Sequence, residues 1–339
     1  MVILDAICVI PKVNGAVPTG ALVCISIEDV PARYELTPCV VTVAVPASKP
    51  VDGVVLKLIV DASSVRSPPV SKLKVKSPDA VAATAGPGLV GAVLVGFCFA
   101  KSLAAGWDVP FIGVNHLEGH LYSNYIDNDN ISFPNVCLLV SGGHTQVWLI
   151  KSYSNFDLIG ETTDDAAGEA FDKGARILGL NYPGGPEIDK LSKNGDVNFY
   201  EFPRPKIKNS PYSFSFSGLK TSLLYYSQKI KKSDFDKNLN HIAASYQEAI
   251  LDCLFNSLKK VANNIPEVSD FYISGGVAAN SRLREKAKSF ENIYNKKIIL
   301  PKLEYCTDNA AMIAMASYQK IINGQSSSFD LAPSPNLKL

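Results

Sequence analysis

From Val81 onward the chain alternates short, unbroken apolar runs with longer stretches in which apolar residues recur every three to four positions. These are the periodicities of buried strands and amphipathic helices. Val81–Thr84 predicts a strand, followed by the turn Ala85-Gly-Pro-Gly88 and an apolar helix over about 89–105. Residues 110–115 predict a strand running into a helix that starts near His116. Val136–Val140 and Gln146–Ile150 predict a hairpin closed by Ser-Gly-Gly-His-Thr. A helix over 164–178 takes Thr163 or Asp164 as N-cap and stops at Gly179. Residues 181–240 are mixed and loop-rich; a long amphipathic helix then covers about 241–263. A strand at 271–274, a helix over about 278–289 and a last helix over about 307–322 complete the pattern. Strands alternating with helices make the fold class α/β.

The first 77 residues break this order. They hold one aromatic residue, Tyr34, along with 17 valines and eight prolines, and show no sustained period. Prolines at 11, 18, 31, 38, 46, 50, 68 and 69 would interrupt any long helix or central strand there. Composition then narrows the function classes. With 33 Lys and Arg against 32 Asp and Glu, the net charge of +1 gives no chain-wide basic field, although a local basic patch is compatible with it. No run of 18 apolar residues escapes a Gly, Pro or charge, so no membrane span or membrane partner is expected. Seven scattered cysteines without C-x-x-C spacing predict reduced thiols and a cytoplasmic location.

The chemistry-bearing groups are few. His116-Leu-Glu-Gly-His120 places two of the four histidines at i and i+4, about 40° apart on a helix, so both imidazoles face one way. That is half of a divalent-metal site, or else a pair of helix-surface histidines. The general-base Glu of a zincin would stand at i+1, whereas Glu118 stands at i+2, which disfavours a protease of that type. Asp308, at the start of the last helix, is a candidate third ligand, or a carboxylate that complements the helix dipole.

Three glycine turns, Ala85–Gly88, Ser141–His144 and Ser274–Gly276, follow strands and could offer backbone N–H groups to phosphate, or be tight turns only. None has the P-loop or dinucleotide spacing. Asp165, Glu169 and Asp172 form one acidic helix face, which a solvated surface also explains. Phe214 and Phe216, in Ser213-Phe-Ser-Phe-Ser-Gly-Leu-Lys-Thr221, read equally as core residues. Cys137 lies in a buried-looking strand and no Ser-His-Asp order exists, so covalent nucleophilic catalysis is unsupported.

Laid in order, A-T-A-G-P-G-L-V-G (83–91), N-H-L-E-G-H (115–120), L-V-S-G-G-H-T-Q (139–146), D-D-A-A-G-E-A-F-D-K (164–173), Y-P-G-G-P (182–186), F-S-F-S-G-L-K-T (214–221), S-G-G-V-A-A-N (274–280) and C-T-D-N-A-A-M-I-A (306–314) resemble the bacterial TsaD family. The resemblance runs from about residue 78 to 323. It implies the actin/hexokinase/Hsp70-like fold, two ribonuclease-H-like lobes with the ligand in a central cleft. On this reading the first lobe is 1–130, with 1–77 atypical and poorly ordered. The second is 131–323 with helical insertions, its last helix (307–323) packing back toward the first, and 324–339 is a tail.

The resemblance also implies an acyltransferase. It moves a threonylcarbamoyl group from threonylcarbamoyl-AMP to the adenosine 3′ of the anticodon in tRNAs reading codons that begin with A. TsaB-like and TsaE-like proteins are the implied partners. His116, His120 and Asp308 match the family's positions for one Fe2+ per subunit, another divalent metal being an alternative, and Leu139, Val140, Ser141, Gly142, Gly143, Asp172, Gly185, Asp189 and Asn280 match its adenylate contacts. The family's opening E-S-S-C-D-E-T segment, which supplies a first phosphate hairpin and a further acid near the metal, has no counterpart in residues 5–77. A compensated frameshift of equal length, or else a real variant, would account for the replacement, and a weakly active or inactive chain is expected. An ATP-dependent kinase or ATPase of the same fold, a non-catalytic TsaB-type paralogue and an inactive transferase remnant are the alternatives.

Overall fold

The computed structural model describes the backbone of four strands within the first 77 residues, and residues 78–126, 128 and 130–339 in full. The expectation of poor order over 5–77 otherwise lies outside the described residues. Two compact units form, one of Met1–Ile126 with Asp308–Leu339 and one of Asp127–Thr307.

The sheet of the first unit has the order β4-β3-β2-β1-β5-β6. β1 (Leu4–Ile10), β2 (Val23–Ile27), β3 (Cys39–Ala44) and β4 (Lys57–Val60) form an antiparallel meander. None of the four contains a proline, Pro11 following β1 and Pro38 preceding β3. β5 (Ala80–Gly86) pairs antiparallel with β1 and parallel with β6 (Phe111–Asn115), the parallel step crossing over through α1 (Val90–Trp107). β5 is buried along its whole length, as its small apolar residues allow. Phe97 of α1 meets Phe111 of β6 edge-on at 5.0 Å, and Val81, Ala83, Ala100 and Ala104 close this core.

α1 is long and apolar enough to cross a membrane by length and composition, with a mean hydropathy of 1.6. That qualifies the expectation of no such segment. The helix packs its Ala92, Val93, Gly96, Phe97, Ala100 and Ala104 face inward and leaves Leu94, Val95 and Phe99 exposed. The C-terminal segment is bonded along the same unit. Ser327 N donates to Phe111 O (2.8 Å), Ser334 N to Ala85 O (2.8 Å), and Phe329 stacks on Phe111.

The second unit is built on the order β11-β10-β7-β8-β9. β7 (Asn135–Val140), β8 (Thr145–Ser152) and β9 (Asn155–Glu161) form an antiparallel meander; β10 (Asp270–Ser274) runs parallel to β7, and β11 (Lys297–Ile299) parallel to β10. This is the ribonuclease-H-like arrangement. Its helices are α3 (Ala167–Leu178), α4 (Gly184–Ser192), α5 (Ser217–Lys229), α6 (Lys232–Lys237), α7 (Leu239–Asn264) and α8 (Ser281–Tyr294). α7 is the central core helix, buried over most of its length, and Tyr246 donates its hydroxyl to Ala170 O (2.9 Å).

Two local expectations are corrected. α3 starts at Ala167 with no side-chain cap, because Asp164 instead accepts from Phe216 N (2.7 Å) and Ser217 N (3.3 Å) at the start of α5. The final helix, α9, spans Ala310–Ile322 with Asn309 as N-cap, which leaves Asp308 one residue before the cap and outside the first turn.

Candidate metal centre and glycine-rich cradle

The metal-ligating candidates all belong to the first unit. β6 ends at Asn115, whose side chain accepts from Leu117 N (2.9 Å) and so starts α2 (His116–Tyr122) directly at the strand end. The i, i+4 spacing then brings the His116 and His120 rings to 4.8 Å. Asp308 Oδ1 lies 3.3 Å from His116 Nε2 and 3.0 Å from His120 Nε2. One ligand atom from each of the three falls within 4.8 Å of the others.

α2 approaches α9 closely because Gly119 has no side chain. A Cβ there would sit 2.9 Å from Ile313 Cδ1 and 3.2 Å from Met312 Cγ. The two helices are also tied by a partly buried charge pair, Lys320 Nζ to Glu118 Oε2 at 2.6 Å. Burial raises the Glu118 pKa despite the opposing Lys320 charge.

His120 is 1% exposed, and neither of its ring nitrogens has a hydrogen-bond partner of good geometry. Burial lowers its pKa and favours the neutral imidazole. Burial alone would raise the pKa of Asp308, but its contacts with His116 and His120 hold the carboxyl well below the ordinary range. Neutral imidazole and ionised carboxylate are the metal-binding forms of both groups. A cation held by two neutral imidazoles and an ionised carboxylate would offset the desolvation of all three, so the donor set fits a divalent cation. Two imidazoles and a carboxylate on one side of an ion leave other coordination positions open.

The glycine-rich turns of the second unit adjoin because β7 and β10 are parallel neighbours, with Leu139 opposite Ser274. Both S-G-G turns therefore leave the carboxyl ends of paired parallel strands, the usual ligand side of an open α/β sheet. Ser141 N donates to His144 O (2.8 Å), closing the first turn, and Gly142 and Gly143 project into open space. Gly275 has φ +90°, and a Cβ there would strike Val140 O, so only glycine fits. The start of α3 abuts the first turn, where a Cβ on Gly168 would lie 2.5 Å from Ser141 O. Asp172 Oδ1 accepts from Gly184 N (2.7 Å) at the head of α4. Asp189, further along α4, accepts from Ser281 N (3.1 Å) and Ser281 Oγ (2.8 Å). Asn280 caps α8 by accepting from Leu283 N (2.9 Å), and its amide donates to Gln247 Oε1 (2.7 Å).

The family model for tRNA N6-adenosine threonylcarbamoyltransferase, TsaD, matches residues 69–315. A tRNA N6-adenosine threonylcarbamoyltransferase of Thermosipho africanus is 52% identical over 261 residues, 77% of this chain and 78% of that protein. One of Fervidobacterium nodosum is 46% identical over 271 residues, 78% and 79% of the two chains. The chain belongs to the TsaD family. Among solved structures, full-length HypF in its phosphate- and nucleotide-bound form aligns with a TM-score of 0.53 at 14% identity, over 73% of this chain and 39% of that one. This likeness concerns the fold, which is the actin-like α/β class expected.

Within this TsaD-family chain the expected residues fall into two groups. His116, His120 and Asp308 converge through their side chains. Leu139 and Val140 are fully buried and can offer only backbone; Ser141, Gly142 and Gly143 form the turn itself. Gly185 and Asp189 lie on α4, linked to α3 through Asp172 and to Asn280 through its neighbour Ser281. Gln247 and Ser281, which carried no motif of their own, support these residues, as does Thr145 of the 139–146 motif, whose Oγ1 accepts from Ala167 N (2.8 Å).

The turn at 85–88 does not belong with the other two glycine turns. Gly88 N donates to Pro335 O (3.3 Å), so the chain's own C-terminal segment uses it. The supposed acidic face of α3 is partly neutralised, since Lys173 bridges Asp165 (2.7 Å) and Glu169 (2.8 Å). Phe214 and Phe216 are buried and stack at 6.1 Å, the core alternative. Burial pushes the Cys137 thiol up to about 12, which removes it as a nucleophile at neutral pH.

Proposed function

We propose that this chain transfers the threonylcarbamoyl group from threonylcarbamoyl-AMP to N6 of the adenosine 3′ of the anticodon, in tRNAs that read A-starting codons. The observation that carries the reading is the convergence of His116, His120 and Asp308, one ligand atom of each within 4.8 Å of the others, in a chain of this family. These three residues would hold the family's single Fe2+ per subunit, or another divalent metal. When bound, a divalent metal supplies Lewis-acid chemistry. The residues of the second unit have the chemistry to take the adenylate. Backbone N–H groups of 141–143 suit its phosphate. Asp172 and Asp189, each oxygen keeping lone pairs beyond those already used, suit ribose hydroxyls, and Gly185 and Asn280 complete the set. The adenine amine is a weak nucleophile, so positioning must supply much of the rate.

TsaB-like and TsaE-like proteins are the proposed partners, in the cytoplasm. Exposed Leu94, Val95 and Phe99 on α1 support a docking face for the first of them. The test is incorporation of labelled threonine, supplied as the adenylate, into tRNA with both partners present. Incorporation that disappears in His120→Ala and in Asp172→Ala is expected. Its absence in the parent chain would show that the residues before the family match, which starts at 69, do not replace the family's own.

A further inference from the structure

The longest unexplained motif is Ser213–Thr221, which opens α5. Of the 13 residues of α5 only Leu219 and Leu223 are buried, and the helix turns a row of Ser217, Thr221, Tyr225 and Lys229 outward at i, i+4, i+8 and i+12. Together with Tyr200 and Tyr226, whose rings meet at a tilt with centroids 4.2 Å apart, this row lines an open groove of ≈ 760 Å3. Tyr225 is 58% exposed, an aromatic ring left largely in water. Among the described residues, no acidic side chain lines the groove. Lys229, Lys231 and Lys206 are exposed, and Lys206 follows Pro205, the nearest neighbour of Gly218 on the groove wall. Lys232 is paired with Asp236 at 2.7 Å.

We infer that this groove holds an unpaired base of the tRNA substrate by stacking on Tyr225, with Lys229 at the adjoining phosphate. The inference rests on the transferase reading above. Single-stranded RNA is bound by aromatic faces for bases and cations for the backbone, the two groups the α5 row presents together. A protein partner fits the lining less well, because lysine is depleted in protein–protein interfaces and common at phosphate contacts. The head of the groove is fixed to the segment leading into α3, since Ser217 Oγ donates to Asp164 Oδ2 (2.9 Å) and Ser215 Oγ to the same atom (2.5 Å). A base held there is thus anchored to the element that carries Asp172.

The experiment measures tRNA affinity of the full chain with its partner proteins, across a salt series, beside adenylate affinity. Tyr225→Ala should weaken tRNA about tenfold while Tyr225→Phe does not, as stacking requires. Lys229→Ala should lower the slope of log affinity against log salt by about 0.7, one single-strand phosphate contact. Adenylate affinity should stay at the parent value in all three. Unchanged tRNA affinity and slope in Tyr225→Ala and Lys229→Ala would overturn the groove assignment alone. The same result with weakened partner-protein binding would assign the groove to a protein instead. A parent chain that binds adenylate but no tRNA would overturn the transferase reading, and the groove with it.

Discussion

The metal centre of the first unit and the glycine-rich cradle of the second differ in what their polar atoms are doing before any ligand arrives. At the metal centre, buried His120 keeps Nδ1 without a hydrogen-bond partner among the described residues, and Asp308 faces both imidazoles through their Nε2 atoms. In the cradle, the side chains expected at the adenylate are already engaged: Asp172 by Gly184, Asp189 by Ser281, Asn280 by Gln247 and Leu283. The first site gathers two imidazoles and a carboxylate within 4.8 Å of one another. The second is a preformed scaffold whose spare capacity lies in open backbone N–H groups and unused carboxylate lone pairs. Removing side chains should therefore abolish ligand binding at the first, whereas filling space should impair it at the second.

The largest expected effect is at the metal centre. The double variant His116→Ala, His120→Ala should lose bound metal altogether, as measured by elemental analysis of purified protein, with little change in circular dichroism. Retained metal would place the ion elsewhere. The pH dependence sharpens the point. His120 has its pKa lowered in the folded state, so it contributes no penalty above the unfolded imidazole value of about 6.5 and costs stability as pH falls below it. Asp308 acts in the same direction from about pH 4 downward, because its folded pKa is also lowered. Metal-free parent protein should accordingly lose melting temperature between pH 6.5 and 5, and the double variant should lose less.

A smaller effect is expected one layer out. Lys320→Ala removes the partner of buried Glu118 and loosens α2 from α9. Breaking a fully buried pair costs about 3–5 kcal/mol; with the Lys320 side chain 30% exposed, about 2 kcal/mol is expected by urea denaturation. Lys320→Ala, Glu118→Gln should recover part of that loss, since no carboxylate is left uncompensated. If metal affinity falls in Lys320→Ala while adenylate affinity holds, the two sites have separate supports. An equal fall in both would break the comparison.

How far these sites were legible in the sequence follows from the same contrast. His116 and His120 could be found because ligand spacing on a helix is a property of the chain alone. Asp308 could not be told from a helix-dipole carboxylate without knowing that Asn309 takes the cap. The α/β alternation was legible because β5, β7 and β10 are continuous apolar runs. β9 and β11 were missed, being edge strands half open to solvent and less apolar. Asp164 was misplaced as the N-cap of α3 because a cap is read locally, whereas its carboxylate serves a helix about 50 residues later. The 85–88 turn looked like the other two until Pro335, far along the chain, proved to be its partner.

The smallest effect on stability, and the most pointed for the cradle, is Gly142→Ala. Gly142 is exposed, its added methyl would meet nothing within 4 Å, and its φ is not in the left-handed region. Stability should stay within about 0.5 kcal/mol of the parent, or rise slightly as the unfolded chain loses freedom. A phosphate drawn against backbone N–H groups needs close approach, and a methyl on the turn stands in its way. Adenylate affinity should then fall about tenfold, measured by calorimetry with the full chain, and Gly276→Ala, equally open, should behave alike. Gly275 is no control for this, because its positive φ and its approach to Val140 make any side chain there a folding defect. Adenylate affinity that is unchanged in both open-glycine variants would reduce the S-G-G turns to strand connections, and recognition would then rest on the side chains of Asp172, Asp189 and Asn280.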